Sequence, residues 1–160
     1  MKPRININQV LGVACLVLAL LCFMSVYSPI RFDKERSKRE AEVKERLINI
    51  RNAEEQYRKQ HGTYTNAFRE LIRSGLLSEE ETLIPYSVDE HFELRTTTFV
   101  GKSGRQVPLM ECGAQYQQYL DGLNENSVAN LIEDANNAGL YPGLRIGDLT
   151  TPNNNAGNWE

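Results

Sequence analysis

The chain has 160 residues, of which 41% are hydrophobic and 24% are charged, with a net charge of −3. A charge this close to zero gives no electrostatic case for nucleic-acid binding, and the length fits one modest domain plus a terminal segment. Of the three cysteines only Cys112 lies outside the N-terminal apolar run, so the rest of the chain cannot close an intramolecular disulfide.

The first element is an apolar run, residues 10–27, which contains no charged residue and no proline. As a helix rising about 1.5 Å per residue, it would nearly cover a hydrocarbon core of about 30 Å. A buried core helix is the alternative, but such helices usually carry a polar stripe, which this run lacks. The sequence therefore predicts a transmembrane anchor at residues 10–28, after a short N-terminal segment at residues 1–9. Because Pro29 follows the only plausible cleavage position, we expect an uncleaved signal anchor.

The charges flanking the run bear on its orientation. Two basic residues precede it, Lys2 and Arg4, whereas a basic cluster follows it within residues 31–39. The positive-inside rule, taken alone, places the C-terminal part in the cytoplasm.

The next element is a long helix that reaches about Gln60. Pro29 predicts a kink or a restart, with Asp33 as the cap of a restarted helix. Acid-before-base pairs four residues apart support the helix, among them Glu40–Lys44, Glu54–Arg58 and Glu55–Lys59. An apolar stripe begins only at Val43. It consists of Val43, Leu47, Ile50, Ala53 and Tyr57. The segment before this stripe is predicted to be a solvated stalk or to lie among partner helices, and the stripe itself to pack on a small domain.

The domain after this helix reads as α+β. A short helix is predicted at residues 67–73, a strand at 92–100, a turn at 101–104, a returning strand at 106–112, a helix at 128–135 and a last strand within 140–146. Pro108 predicts that the returning strand lies at an edge or lacks a ladder hydrogen bond there. The polar tail ends close to Trp159, an aromatic residue that we expect to dock on the domain.

Four groups of residues were weighed as chemical sites. Gly101-Lys102-Ser103 lacks the full phosphate-loop pattern and reads as a hairpin turn. The acids and single histidine of residues 89–93 read as an exposed polar edge, and Cys112 has no histidine near it in sequence. Asp148 and the asparagines at 153–155 offer oxygen ligands without a calcium-loop spacing and read as turn residues. The sequence thus predicts no catalytic, cofactor-binding or metal-binding residue and no enzyme.

Residues 46–77 resemble type IV pilins and pseudopilins. The similarity lies in Arg51-Asn52-Ala53, in Tyr57 and in Gly62-Thr63-Tyr64, which correspond to the helix end and first loop of that family. The apolar run, the proline and the long helix have the order of the family's first helix. The whole chain is also similar to a group of membrane-anchored Bacteroidetes proteins that end in a sequence like residues 153–160, NNNAGNWE.

The resemblance implies a pilin-like architecture, in which a transmembrane helix continues into a long amphipathic helix packed on a small antiparallel sheet. It implies a non-enzymatic structural component of a pilus-type or secretion-type envelope assembly. The chain would cross the bacterial inner membrane once, with residues 1–9 in the cytoplasm and the domain of residues 29–160 in the periplasm. Its expected partners are the membrane and other anchored or pilin-like proteins, including itself, with no nucleic acid, small-molecule substrate or cofactor. The alternative is a membrane-tethered adaptor or regulatory binding domain that faces the cytoplasm.

Overall fold

The computed structural model describes residues 7–102 and 104–160, without the side chains of residue 9 and residues 23–29. Most of the predicted segment 1–9, and Ser103 of the predicted turn, lie outside the described residues. The chain divides into two compact units, Met1–Arg36 and Ser37–Glu160. Helices and a three-stranded antiparallel sheet make up the described chain, so the predicted α+β class is confirmed.

The longest element is helix α1, Ile7–His61. It runs through Pro29, and Asp33 lies inside it, so the predicted restart with Asp33 as a cap is wrong. A proline in a helix interior removes one backbone hydrogen bond, and the bonds of the flanking turns can keep the helix continuous.

The first unit consists of helix, and ten of its described large apolar side chains are exposed, whereas Phe32 is half-buried. The ten are 47–81% exposed and comprise Ile7, Val10, Leu11, Val13, Leu16, Val17, Leu18, Leu20, Leu21 and Ile30. Across the described residues, none of the helices is both long enough and apolar enough to cross a membrane. Part of the predicted anchor, residues 23–28, has side chains outside the described ones.

The second unit, which we call the head, is built around the later part of α1. Val43, Leu47, Ile50 and Ala53 are fully or almost fully buried, which confirms that the predicted stripe packs inward, whereas Tyr57 is only half-buried. The sheet contributes the other side of the core through buried residues that share one face, Leu94, Met110, Cys112, Ala114, Leu144 and Ile146.

The sheet has the order β1-β2-β3, with β1 at Glu93–Val100, β2 at Gln106–Gln115 and β3 at Gly143–Gly147. Strand β2 is therefore central, so the first alternative that Pro108 predicted, an edge strand, is wrong, and the second, a missing ladder hydrogen bond, agrees with the pairing. Strand β3 pairs with β2 only from Glu111 to Gln115, so beside Pro108 the β3 side of β2 has no pairing partner among the described strands. A proline is tolerated at such a position because no neighbouring strand requires its missing N–H.

The outer end of the β1–β2 hairpin extends beyond the core. Phe92 and Leu94 are buried as the alternation predicts, but Val100 on the same predicted face is 59% exposed. Alternation fixes which side chains share a face, and the extent of the covering elements decides how far along that face burial continues.

Short helices complete the head. They are α2 at Phe68–Arg73, a 3-10 turn at Glu80–Thr82, α3 at Tyr116–Tyr119 and α4 at Glu125–Asn137. The side chain of Asn124 caps α4 by accepting a hydrogen bond from the Ser127 N–H at 2.9 Å.

The solvated stalk predicted before Val43 is wrong for its last turn. The Arg39 guanidinium donates hydrogen bonds to the carbonyl oxygens of Tyr119 and Asp121, at 3.0 and 2.8 Å, and lies 4.6 Å from the ring centre of Tyr86. Charged side chains hold this turn of α1 to the head by hydrogen bonds, so an apolar stripe is not needed there.

Candidate functional site

The C-terminal segment folds back onto the head and onto α1. Gly157 forms a bridge with Ile146 of β3, and the Asn158 N–H donates to the carbonyl of Arg145 at 3.0 Å. The expected docking of the tail is therefore confirmed. A Cβ at Gly157 would lie 2.6 Å from the indole of Trp159, so a larger residue there would force the indole to move.

Two basic residues of α1 hold this segment. Arg51 Nη1 donates to the Glu160 carboxylate at 2.9 Å and to the carbonyl of Asn155 at 3.3 Å. The Lys44 ammonium lies 5.7 Å from the ring centre of Trp159, within the range of a cation–π contact. The hydrogen bond from Arg51 lowers the pKa of Glu160 below its ordinary value.

Beside the clamp that Arg51 and Lys44 form on the C-terminal segment, the hydroxyl of Tyr64 joins three elements. It accepts hydrogen bonds from Arg58 Nη1 of α1 at 2.9 Å and from Asn155 Nδ2 of the tail at 2.8 Å. Tyr64 follows the Gly62 turn at the end of α1, where φ is +81°, and is 6% exposed. Asn155 is also buried, with φ of +57°, a conformation that asparagine adopts more readily than most residues.

A surface pocket of about 350 Å³ opens next to this hydroxyl. It is lined by Glu55, Arg58, Lys59, Tyr64, Asn154 and Asn155. Helix α1 supplies the charged residues, the Gly62–Tyr64 turn supplies the phenol and the docked tail supplies the amides. The pocket exists only because the tail is docked.

On the inner side of α1, Glu54 is completely buried. One carboxylate oxygen accepts the Thr65 N–H at 3.1 Å, and the other has no hydrogen-bond partner within the described chain. Burial raises the pKa of Glu54 from 4.5 to about 7, and the bond from Thr65 opposes this rise. The predicted surface pair with Arg58 is wrong, since Glu54 is turned into the core and Arg58 bonds Tyr64.

Cys112 on β2 is also fully buried, and burial raises its pKa well above the ordinary value, with Glu54 adding to the rise. A thiol of this kind stays protonated and is a poor nucleophile. It contributes to the core as a small apolar side chain.

The residues considered above as metal ligands or phosphate binders lie in turns or form hydrogen bonds with neighbouring side chains. His91 Nδ1 contacts the hydroxyl of Thr82 at 2.9 Å, and Asp148 Oδ1 accepts from the N–H and hydroxyl of Thr150 at 2.6 Å. Gly101 and Lys102 lie between β1 and β2, as in a hairpin turn. Within residues 7–102 and 104–160, no three His, Cys, Asp or Glu side chains cluster as a metal site would require.

The comparisons with known proteins give no match. Neither a family model, nor a curated protein, nor a solved structure matches this chain.

Sequence reasoning missed the pocket altogether. Arg58 was assigned to a surface ion pair, and the tail asparagines were assigned to turns. The one signal pointing to this region was Trp159 in a polar terminus, which predicts that the tail docks but not where.

Proposed function

We propose that this protein is a membrane-anchored, non-enzymatic structural subunit of a pilus-type or secretion-type envelope assembly, with the head in the periplasm. The observation that carries the proposal is the exposure of ten large apolar side chains of the first unit, in a helix whose residues 10–22 include no charged or strongly polar side chain on any face. A helix that is apolar on every side is unfavourable in contact with water, so lipid or other helices are needed to cover it.

The sequence of this unit supports association with neighbouring helices. Gly12 has no heavy atom within 4 Å of the position of a Cβ, and Ala14 and Ala19 are also small. In a membrane, small residues let helix backbones approach closely, which is how anchored subunits pack side by side.

The head supplies what a structural subunit needs outside the membrane. Its core is formed by α1 and the sheet, and the C-terminal segment is tied to α1 through Arg51 and Asn155. The buried Cys112 is unreactive, and the features weighed as metal or phosphate sites are occupied by ordinary turn contacts.

A membrane-tethered adaptor with a cytoplasmic head is the second candidate. The basic residues after the apolar run favour it, since five lysines and arginines lie within residues 31–39. The two candidates differ in the side of the membrane that the head occupies.

Orientation can be tested with one exposed cysteine. In a variant with Cys15 and Cys22 replaced by serine, Val88→Cys introduces a thiol at a position that is 85% exposed. We expect a membrane-impermeant maleimide to label it in intact spheroplasts. Buried Cys112 provides the internal control, because it should react only after denaturation. Labelling that required permeabilised membranes would support the adaptor instead.

Assembly can be tested by cross-linking along one face of α1. Ser37, Ala41 and Glu45 are exposed, and their spacing of four residues places them on one face. Single cysteines at these positions, in a chain otherwise free of cysteine, should cross-link to a neighbouring anchored protein in native membranes, whereas Val43→Cys, which is buried, should not. If none of the four positions formed a cross-link, the result would contradict the assembly proposal.

A further inference from the structure

The pocket formed by α1, the Gly62–Tyr64 turn and the docked tail has the features of a binding site. Its volume of about 350 Å³ is within the range of small-ligand pockets. We propose that it binds a carboxylate group, supplied either by a small free carboxylic acid or by an acidic side chain of another protein.

The first argument is the hydrogen bonding of Tyr64. Its oxygen already accepts two hydrogen bonds, from Arg58 and from Asn155, so both acceptor positions are used. The hydroxyl hydrogen remains, and no residue of the described chain accepts it. Tyr64 is only 6% exposed and lines the pocket, so this donor is available to an acceptor that binds there.

The second argument is the charge of the lining. Arg58 and Lys59 are cationic and Glu55 is anionic, so the lining carries one net positive charge. Lys59 forms no ion pair within the described chain, and the predicted Glu55–Lys59 pair is not formed. A singly charged carboxylate neutralises the pocket, whereas a doubly charged phosphate would bring excess negative charge next to Glu55.

The third argument is the rigidity of the donors. Arg58 has one nitrogen fixed on Tyr64 and its guanidinium 5.1 Å from the centre of that ring, so it is positioned before any ligand arrives. Asn155 is held by its buried amide and by a bond from its N–H to Asn153 Oδ1 at 3.1 Å. Donors that are already ordered lose little conformational freedom on binding.

The test follows the amide NMR signals of the ¹⁵N-labelled full-length protein in detergent micelles during titration with sodium acetate. Sodium chloride at matched ionic strength is the reference. We expect saturable shifts of Tyr64, Asn154 and Asn155 with acetate but not with chloride. Shifts of equal size with both salts would overturn the proposal.

Variants connect the shifts to the site. Lys59→Gln changes an exposed side chain and leaves the Tyr64 contacts intact, and it should weaken acetate binding about tenfold. Lys102→Gln, in the β1–β2 turn, is the matched control and should bind like the wild type. Tyr64→Phe should weaken binding at least about tenfold where it folds. Wild-type affinity in Lys59→Gln would contradict the site, independently of how Tyr64→Phe behaves.

The source of the carboxylate is distinguished with two further probes. Butyrate, which carries a single carboxylate, represents a free acid, and N-acetylglutamic acid methylamide carries a single side-chain carboxylate in a blocked backbone. Tighter binding of butyrate identifies a small acid as the ligand, and tighter binding of the blocked glutamate identifies a protein side chain. Tighter binding of inorganic phosphate than of acetate would overturn the assignment to carboxylates.

Discussion

The buried carboxyl group of Glu54 should make the stability of the head depend on pH. In the unfolded chain this group releases its proton near pH 4.5, whereas in the folded head burial raises its pKa to about 7. The stabilising contribution of the protonated group is therefore complete below pH 4.5 and is lost as the pH rises to about 7. At about 1.4 kcal/mol per pKa unit, the free energy of unfolding should fall by about 3 kcal/mol between pH 4.5 and pH 8.

The variant Glu54→Gln tests this directly. Glutamine keeps an oxygen that can accept the Thr65 N–H but does not titrate, so the variant should lose most of this pH dependence and unfold at higher temperature than the wild type at pH 8. Thermal unfolding of the full chain in detergent, followed by the fluorescence of its single tryptophan, provides the measurement from pH 4.5 to pH 9. Glu45→Gln, an exposed position on the same helix, is the matched control and should keep the wild-type profile.

Either of two results would refute this reasoning. One is a wild-type stability that rises between pH 5 and pH 8, because it would mean that Glu54 is ionised and stabilised in the head. The other is equal pH dependence in the wild type and in Glu54→Gln, which would assign the effect to other groups.

Three further substitutions test the packing of the head. Leu47→Ala should lower the free energy of unfolding by about 2–5 kcal/mol because it empties a fully buried position, while Glu45→Ala should lower it by only a few tenths of a kcal/mol. Equally small effects of the two substitutions would contradict the packing of α1. Gly143→Ala should lower the free energy of unfolding by at least about 1–3 kcal/mol, since its Cβ would overlap the backbone of β2. Gly12→Ala, in α1, has free space around its Cβ and should not lower it, because alanine is the better helix former. Arg51→Ala should release the tail and shift the tryptophan emission to longer wavelength, and unchanged emission would show that the clamp is dispensable.

Periodicity and turn residues in the sequence determined most of the local structure. The spacing of Val43, Leu47 and Ile50 identified the buried face of α1, because a helix repeats every 3.6 residues whatever covers it. The alternation after Phe92 and the glycines at 101 and 104 identified the hairpin, and Pro108 identified the stretch where β2 lacks a neighbour on one side. These features depend on residues close together in the chain.

Only the tertiary structure decided which polar residues are buried and what they contact. Glu54 has the spacing of a surface ion pair with Arg58, yet the Thr65 loop and the sheet cover it, and Arg58 contacts Tyr64 instead. Asn155 reaches Tyr64 across 91 residues of sequence, and Glu160 reaches Arg51 across 109. Local patterns carry no record of such contacts, because the docking of the tail depends on the whole head being folded. The same holds for the start of the packed part of α1. The apolar stripe in the sequence begins at Val43, but the folded head also binds Arg39 through the carbonyl oxygens of Tyr119 and Asp121.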